Sequence, residues 1–361
     1  MKDAKEGSRI PTVGRREFLK IGTAAAALTA LKTDGVLAQS RAGQPGSIDV
    51  HAHWAPQPYI KLVQDLGRYP RIPGKPLDPK LFDLKQRIKW MDERGVQMHV
   101  LTLSGSMPWQ WANPDDAVRL AQIVNDAGIE AHTAYPDRFL VGAAVPIRDP
   151  AAALRELNRV AGKPGIRAVG LPNSIESNDY LFAPEYAPFL ARCEELGYPL
   201  LFHPLDGNLN SYAGTRLQGP AFTYNTLGFP FESATTAAKF IFGGTLDRFP
   251  KLEIVLPHSG GCFPYIVGRI EHSVNKGAVG VKLQSSMRDY MRRFHYDSLA
   301  YYPETLRFMI GLLGSDRIVI GTDNYATMDV EQPNALVEQL NLPAADRDRI
   351  LRGNAAKLFR L

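Results

Sequence analysis

Ser47-Ile48-Asp49-Val50-His51-Ala52-His53-Trp54 is the stretch on which the fold turns. It reads as a strand ending in two histidines at i and i+2, which share a face of the strand. Two imidazoles on one face make a natural pair of metal ligands, although an isolated His-x-His is as often structural. A doubly wound nucleotide-binding sheet would carry a glycine-rich phosphate turn after its first strand. Here the strand ends in His-Ala-His instead.

Outward from this stretch, short apolar runs alternate with helical patterns. The predicted strands are 47–54, 96–103, 139–146, 166–172, 199–203, 252–258, 293–298 and 317–322. Several carry Val, Ile and Leu on consecutive positions, as strands buried on both faces do. Helical periodicity marks 78–94, 149–160, 183–196, 233–247, 263–274, 303–313 and 334–361. Asp149-Pro150 supplies an N-cap and a first-turn proline, and Gly95, Gly197 and Gly314 end helices. No internal repeat or composition break divides the chain. An α/β fold follows, a single-domain (β/α)8 TIM barrel over 47–361. The irregular stretches 55–79 and 206–230 fall after strands one and five, on the face where barrel enzymes build their sites.

The other histidines and carboxylates are read by the same rule. His203 ends strand five, His258 ends strand six and Asp323 ends strand eight. With His51 and His53 they converge on one rim. Three neutral imidazoles and a carboxylate suit zinc, or manganese or iron. Such an ion would lower the pKa of a bound water towards about 7. Asp323 could bind the ion and also exchange a proton. His258 is an additional acid or base near it. His99 falls mid-strand, His132 and His272 in helices and His295 early in strand seven, and all four read as structural. Cys193 reads as core. Cys262 lies near the site, but nothing marks it as a nucleophile. Two cysteines 69 residues apart do not require a disulfide.

Together, Ile48-Asp49-Val50-His51-Ala52-His53, Leu201-Phe202-His203-Pro204, Leu256-Pro257-His258-Ser259-Gly260-Gly261 and Gly321-Thr322-Asp323 resemble the amidohydrolase superfamily. The resemblance is to its amidohydrolase-2 branch, typified by aminocarboxymuconate-semialdehyde decarboxylase. It extends through Arg87–Gly95, Gly243–Leu252 and Gly353–Phe359. It implies one divalent metal, zinc with manganese as the alternative, on His51, His53, His203 and Asp323. It implies His258 as general acid/base. It also implies that Arg269 binds a substrate carboxylate in the neighbouring subunit of a homodimer; without it, Arg269 reads as a helix-surface salt bridge. Strand four ends in Val169-Gly170-Leu171 with no lysine to bridge a second ion. Leu205 stands where decarboxylases of the branch often carry Trp. The expected activity is a carboxy-lyase acting on a small aromatic or unsaturated carboxylic acid. Hydrolysis of an ester, lactone or amide at the same site is the alternative. A non-enzymatic binding protein on a decayed barrel is a third reading, which the five intact positions disfavour.

Composition limits the rest. Apolar residues are 45% and charged residues 22%, as in a soluble globular protein. Arg15-Arg16-Glu17-Phe18-Leu19-Lys20, the apolar run Ile21–Leu31 and Val36-Leu37-Ala38 give residues 1–40 the order of a twin-arginine signal peptide and leader. A basic disordered tail is the alternative. Residues 1–38 hold seven Lys/Arg against four Asp/Glu, so three of the five formal positive charges sit there. The remaining +2 is too weak to argue for nucleic acid or anionic membrane as partner, and none is expected. Removal of the leader would leave a periplasmic protein without a membrane anchor.

Overall fold

Eight parallel strands follow one another round a single sheet in chain order. They are β1 (Ser47–His53), β2 (Val96–Thr102), β3 (Phe139–Ala143), β4 (Ile166–Pro172), β5 (Leu200–His203), β6 (Ile254–Leu256), β7 (Phe294–Asp297) and β8 (Ile318–Val319). The computed structural model describes residues 46–361 apart from 69–76, 177, 179, 206–211, 218–222 and 327. The leader read at 1–40 lies outside the described residues. The ring closes between β8 and β1. Asp49 bridges Ile320, the Val50 N–H donates to the Ile320 carbonyl at 2.9 Å, and the Asp323 N–H donates to the His51 carbonyl at 3.0 Å.

Each crossover carries helix, as parallel neighbours require. The longest helix, Pro114–Ala134, links β2 to β3 and is capped by Asn113, which accepts from the Asp116 N–H. Asp149 caps Pro150–Val160 by accepting from the N–H groups of Ala151 and Ala152. Gly197 ends Ala187–Leu196 in the left-handed region. The barrel interior is filled by Ile48, Val50, Met98, Val100, Leu140, Ala168, Leu201, Val255 and Val319. Ala355, Leu358 and Phe359 from the last helix, Asn354–Phe359, pack into the same cluster. A second, larger apolar layer joins the outer faces of the strands to the helices. The interior is therefore solid core, and chemistry is confined to the rim.

β1 departs from simple alternation. Ile48 and Val50 belong to the interior cluster, so strict period two would send His51 and His53 outward. The pairing with β2 slips between Asp49 and Ala52, where one extra residue is accommodated on β1. This bulge re-aims the strand's end, and Val50 and His51 line the same small void inside the barrel.

Boundaries differ from the sequence reading where strands splay or turns intervene. β3, β6 and β8 are shorter than expected. His258 lies in the turn His258–Gly260 behind Pro257, not on a strand. The stretch 55–79, read as irregular, contains the helix Gln57–Asp65, which buries Tyr59, Leu62 and Val63. The 206–230 stretch likewise ends in helix, because Phe229–Phe242 begins four residues before the expected start. That helix stops at Gly243 and a separate short one spans Thr245–Arg248. The expected helix 78–94 is a single turn at Pro79–Leu81 followed by Leu84–Glu93. The tail 334–361 is broken by Pro343 into Ala335–Glu338, Ala344–Asp348, a wide turn and the final helix.

Candidate metal centre

Four of the five predicted positions meet in one cluster. His51 and His53 come from β1, His203 from the last residue of β5, and Asp323 from the segment just beyond β8. Their ligand atoms lie within 4.8 Å of one another and all four residues are buried. Among the described residues this is the only convergence of His, Cys, Asp or Glu able to share an ion. The three Nε2 atoms face one oxygen. Asp323 Oδ1 lies 2.6 Å from His53 Nε2, 3.3 Å from His51 Nε2 and 3.7 Å from His203 Nε2.

The far sides of two rings fix which nitrogen is presented. His51 Nδ1 donates to Asp297 Oδ2 at 2.7 Å, and His203 Nδ1 donates to the Pro204 carbonyl at 2.6 Å. Their Nε2 atoms are therefore aimed at the centre, where each is buried without a hydrogen-bond partner. Buried unpartnered nitrogens beside a shared carboxylate are what a bound cation would satisfy. The donor set of three imidazoles and one carboxylate fits a single divalent ion.

Electrostatics points the same way. Burial alone would raise Asp323, but the three imidazoles outweigh it and hold its carboxyl well below the usual range. Burial opposes charge on His51 too, yet Asp297 and Asp323 hold it up at about 10. The two carboxylates thus favour positive charge at His51, where a cation would sit.

His258 stands beside the four. Its ring centroid is 5.3 Å from that of His51 and 5.2 Å from that of His203, and Phe229 stacks on it at 5.9 Å. Burial, reinforced by His203, pushes it down to about 3, so the ring is neutral at ordinary pH. The turn that carries it is unusual. His258 and Ser259 have φ of 53° and 57°, and Gly260 and Gly261 follow with positive φ. Each left-handed non-glycine residue costs about 1–3 kcal/mol. Asp297 offsets that cost by accepting from the N–H groups of His258 at 2.9 Å and Ser259 at 2.7 Å. Hydrogen bonds to a charged acceptor contribute about 1.5–3 kcal/mol each. Only glycine fits next, since a Cβ on Gly261 would lie 1.9 Å from the Pro230 carbonyl oxygen.

Arg269 is not in this cluster. It is exposed on the helix Phe263–Asn275, on the surface that also presents Tyr265 and Ile266. Of the other histidines, His132 donates to the Phe139 carbonyl and His295 faces Glu253, in keeping with structural roles. His272 lies on the exposed face of its helix. Cys193 is buried, Cys262 half-buried, and both are free thiols.

Sequence reasoning missed Asp297 and a layer beneath the cluster. Asp297 ends β7, so the strand-end rule used for Asp323 would have found it. Below it, Asp49 accepts from Thr322 Oγ1 at 2.5 Å and lies 3.4 Å from His99 Nε2. The fully buried Arg87 donates to the His53 carbonyl at 2.5 Å and to His99 Nδ1 at 3.2 Å, and its guanidinium stacks on Tyr325. Burial lowers Arg87 to about 10 and His99 well below its usual value, so His99 is a neutral link between cation and carboxylate. These contacts fix the backbone from which His53 and Asp323 project.

A family profile described as amidohydrolase matches residues 48–361. The chain belongs to the amidohydrolase family. Gamma-resorcylate decarboxylase of Rhizobium sp. (strain MTP-10005) is 31% identical over 335 residues, covering 88% of this chain and 98% of that protein. The 2-amino-3-carboxymuconate-6-semialdehyde decarboxylase of Dictyostelium discoideum is 27% identical over 334 residues, covering 87% and 91%. Among solved structures, the dihydroxybenzoic acid decarboxylase of Polaromonas sp. JS666, with bound manganese and the inhibitor 2-nitroresorcinol, aligns with a TM-score of 0.74. It is 28% identical and covers 88% of this chain and 98% of that one. The family-level resemblance read from the four motifs therefore holds, as does the barrel.

Because Asp297 and Asp323 raise the proton affinity of His51, metal loading of this amidohydrolase should release protons. Calorimetric titration of metal-free protein at pH 7–8, in buffers of differing ionisation enthalpy, should report net proton release on binding. Affinity should rise with pH over that range. A heat independent of buffer would contradict the coupling.

Proposed function

We propose that this protein is a metal-dependent non-oxidative decarboxylase of an aromatic or unsaturated carboxylic acid. The observation that carries this is the cluster itself: three Nε2 atoms around one carboxylate oxygen, with the His258 ring packed alongside. The two curated relatives described above, both named decarboxylases, support it.

A divalent ion held by His51, His53, His203 and Asp323 would supply a Lewis-acid centre that polarises the substrate's oxygens. We place zinc there, as the three-imidazole, one-carboxylate set suits it, with manganese as the alternative that the Polaromonas structure supports. The protein's own part is positioning and proton transfer. The ring or alkene carbon bearing the carboxylate takes a proton, its bond to the carboxyl carbon breaks, and the bonding pair returns to the ring or alkene as CO2 leaves. His258 is suited to relay that proton because its neutral imidazole can take one at one nitrogen while giving one at the other. Asp323 can pass a proton on in the same step, its carboxylate being held ionised between transfers by the three imidazoles. The buried rim excludes bulk water and strengthens each of these interactions.

Incubation of the metal-loaded protein with aromatic and unsaturated acids, and in parallel with esters and lactones, should release CO2 from at least one acid. Liberation of acid from the esters without any CO2 would defeat the proposal in favour of hydrolysis. His258→Asn should lower kcat by about 10²–10⁴-fold with metal content unchanged.

We also read Arg269 as contributing to a neighbouring subunit's substrate site in a homodimer. Its exposed position, beside exposed Tyr265 and Ile266, supports that reading. Arg269→Ala should then lower kcat/KM by about 10–100-fold, mainly through KM, because a charge-assisted contact is lost. Sedimentation should give a dimer. A monomer with unchanged kinetics would refute it.

Residues 1–40 we read as a twin-arginine leader that sends the folded enzyme to the periplasm. The charge, apolar run and small-residue order support this, and no helix among the described residues is long and apolar enough to cross a membrane. Replacing Arg15 and Arg16 by lysine should retain the protein in the cytoplasm on fractionation; continued export would exclude the route.

A further inference from the structure

We infer that Asp297 is a positioning residue that couples the metal cluster to the His258 turn, so that the turn is held in place only when His51 is. The inference rests on the readings of the cluster as a metal site and of His258 as proton carrier.

One oxygen serves both partners. Asp297 Oδ2 accepts from His51 Nδ1 at 2.7 Å and from the His258 N–H at 2.9 Å. The other oxygen accepts from the Ser259 N–H at 2.7 Å and the Leu299 N–H at 3.2 Å. Ser259 Oγ returns a bond to the Asp297 carbonyl at 3.1 Å. The carboxylate is fully buried, so water cannot replace any of these donors. Packing around the base of both side chains is tight. A Cβ on Gly321 would lie 2.7 Å from Asp297 Cβ and 3.0 Å from His51 Cβ, which shows how closely the chain beyond β8 presses on both side chains.

A carboxylate that accepts from the outer nitrogen of a ligating histidine fixes that ring and raises its basicity. Here the same carboxylate also holds two consecutive left-handed residues, His258 and Ser259. Movement of His51 therefore pulls on the acceptor of the His258 N–H. Conversely, a turn that opens leaves His51 without its orienting partner. A carboxylate that only capped the turn would have no bond to His51, and one that only oriented His51 would have none to the turn.

Asp297→Asn keeps the size but cannot offer acceptors to His51 and to both turn amides at once. Competition with a chelator for Zn2+ or Mn2+ should show the dissociation constant raised by about 10–100-fold in the folded variant. A purely structural role would lower the melting temperature of the metal-free protein and leave metal affinity within twofold, and that result overturns the inference. Hydrogen exchange on the unmodified protein decides the matter even if the variant fails to fold. Residues 257–262 contain none of the four cluster residues, yet their amides should exchange several-fold more slowly once metal is added. Unchanged exchange there overturns the coupling, and so does a parent protein that binds no ion. A parent that binds the ion but releases no CO2 defeats only the decarboxylase reading, and the chelator and exchange results then stand as support.

Discussion

A carboxylate and three imidazoles packed together out of reach of water depend on one another. Removing such groups from solvent costs several kcal/mol for each charge unless partners replace the lost hydration. In this barrel the replacement is mutual. Asp323 Oδ1 is shared by three ring nitrogens, and the rings of His51 and His203 are held from behind by Asp297 and the Pro204 carbonyl. Two Nε2 atoms still lack hydrogen-bond partners, and that deficit makes a cation the natural centre of the cluster.

Everything around the cluster serves to keep it from relaxing. The apolar interior gives the rim a rigid floor, since a packed core does not deform continuously. The bulge in β1 turns His51 and His53 inward without giving up the apolar contacts of Ile48 and Val50. The Asp49, His99 and Arg87 layer ties the carbonyl of His53 to the segment carrying Asp323. Two consecutive left-handed residues fall in the His258 turn, where Asp297 and two glycines make an otherwise costly backbone tolerable.

The fold was largely legible in the sequence because buried parallel strands are apolar on consecutive positions and their C-terminal ends are marked by polar side chains. Strand order followed from chain order. What misled were proline-rich stretches. Pro56 opens the helix Gln57–Asp65 but reads as a breaker, and Pro230 sits in the first turn of Phe229–Phe242. Asp297 ends β7 as plainly as Asp323 follows β8, but its role behind His51 depends on a contact 246 residues away that no local pattern marks.

Taken by itself, the sequence determined the barrel, the identity of the four clustered residues and the family, since these depend on residue type at strand ends. Tertiary structure alone decided which way each ring faces, which nitrogen it offers and which carboxylate stands behind it. Strict alternation along β1 would have turned His51 and His53 away from the interior, and only the slipped pairing with β2 brings them in. Those properties arise from contacts between residues up to 273 positions apart, such as Asp49 with Thr322, and no local pattern encodes them.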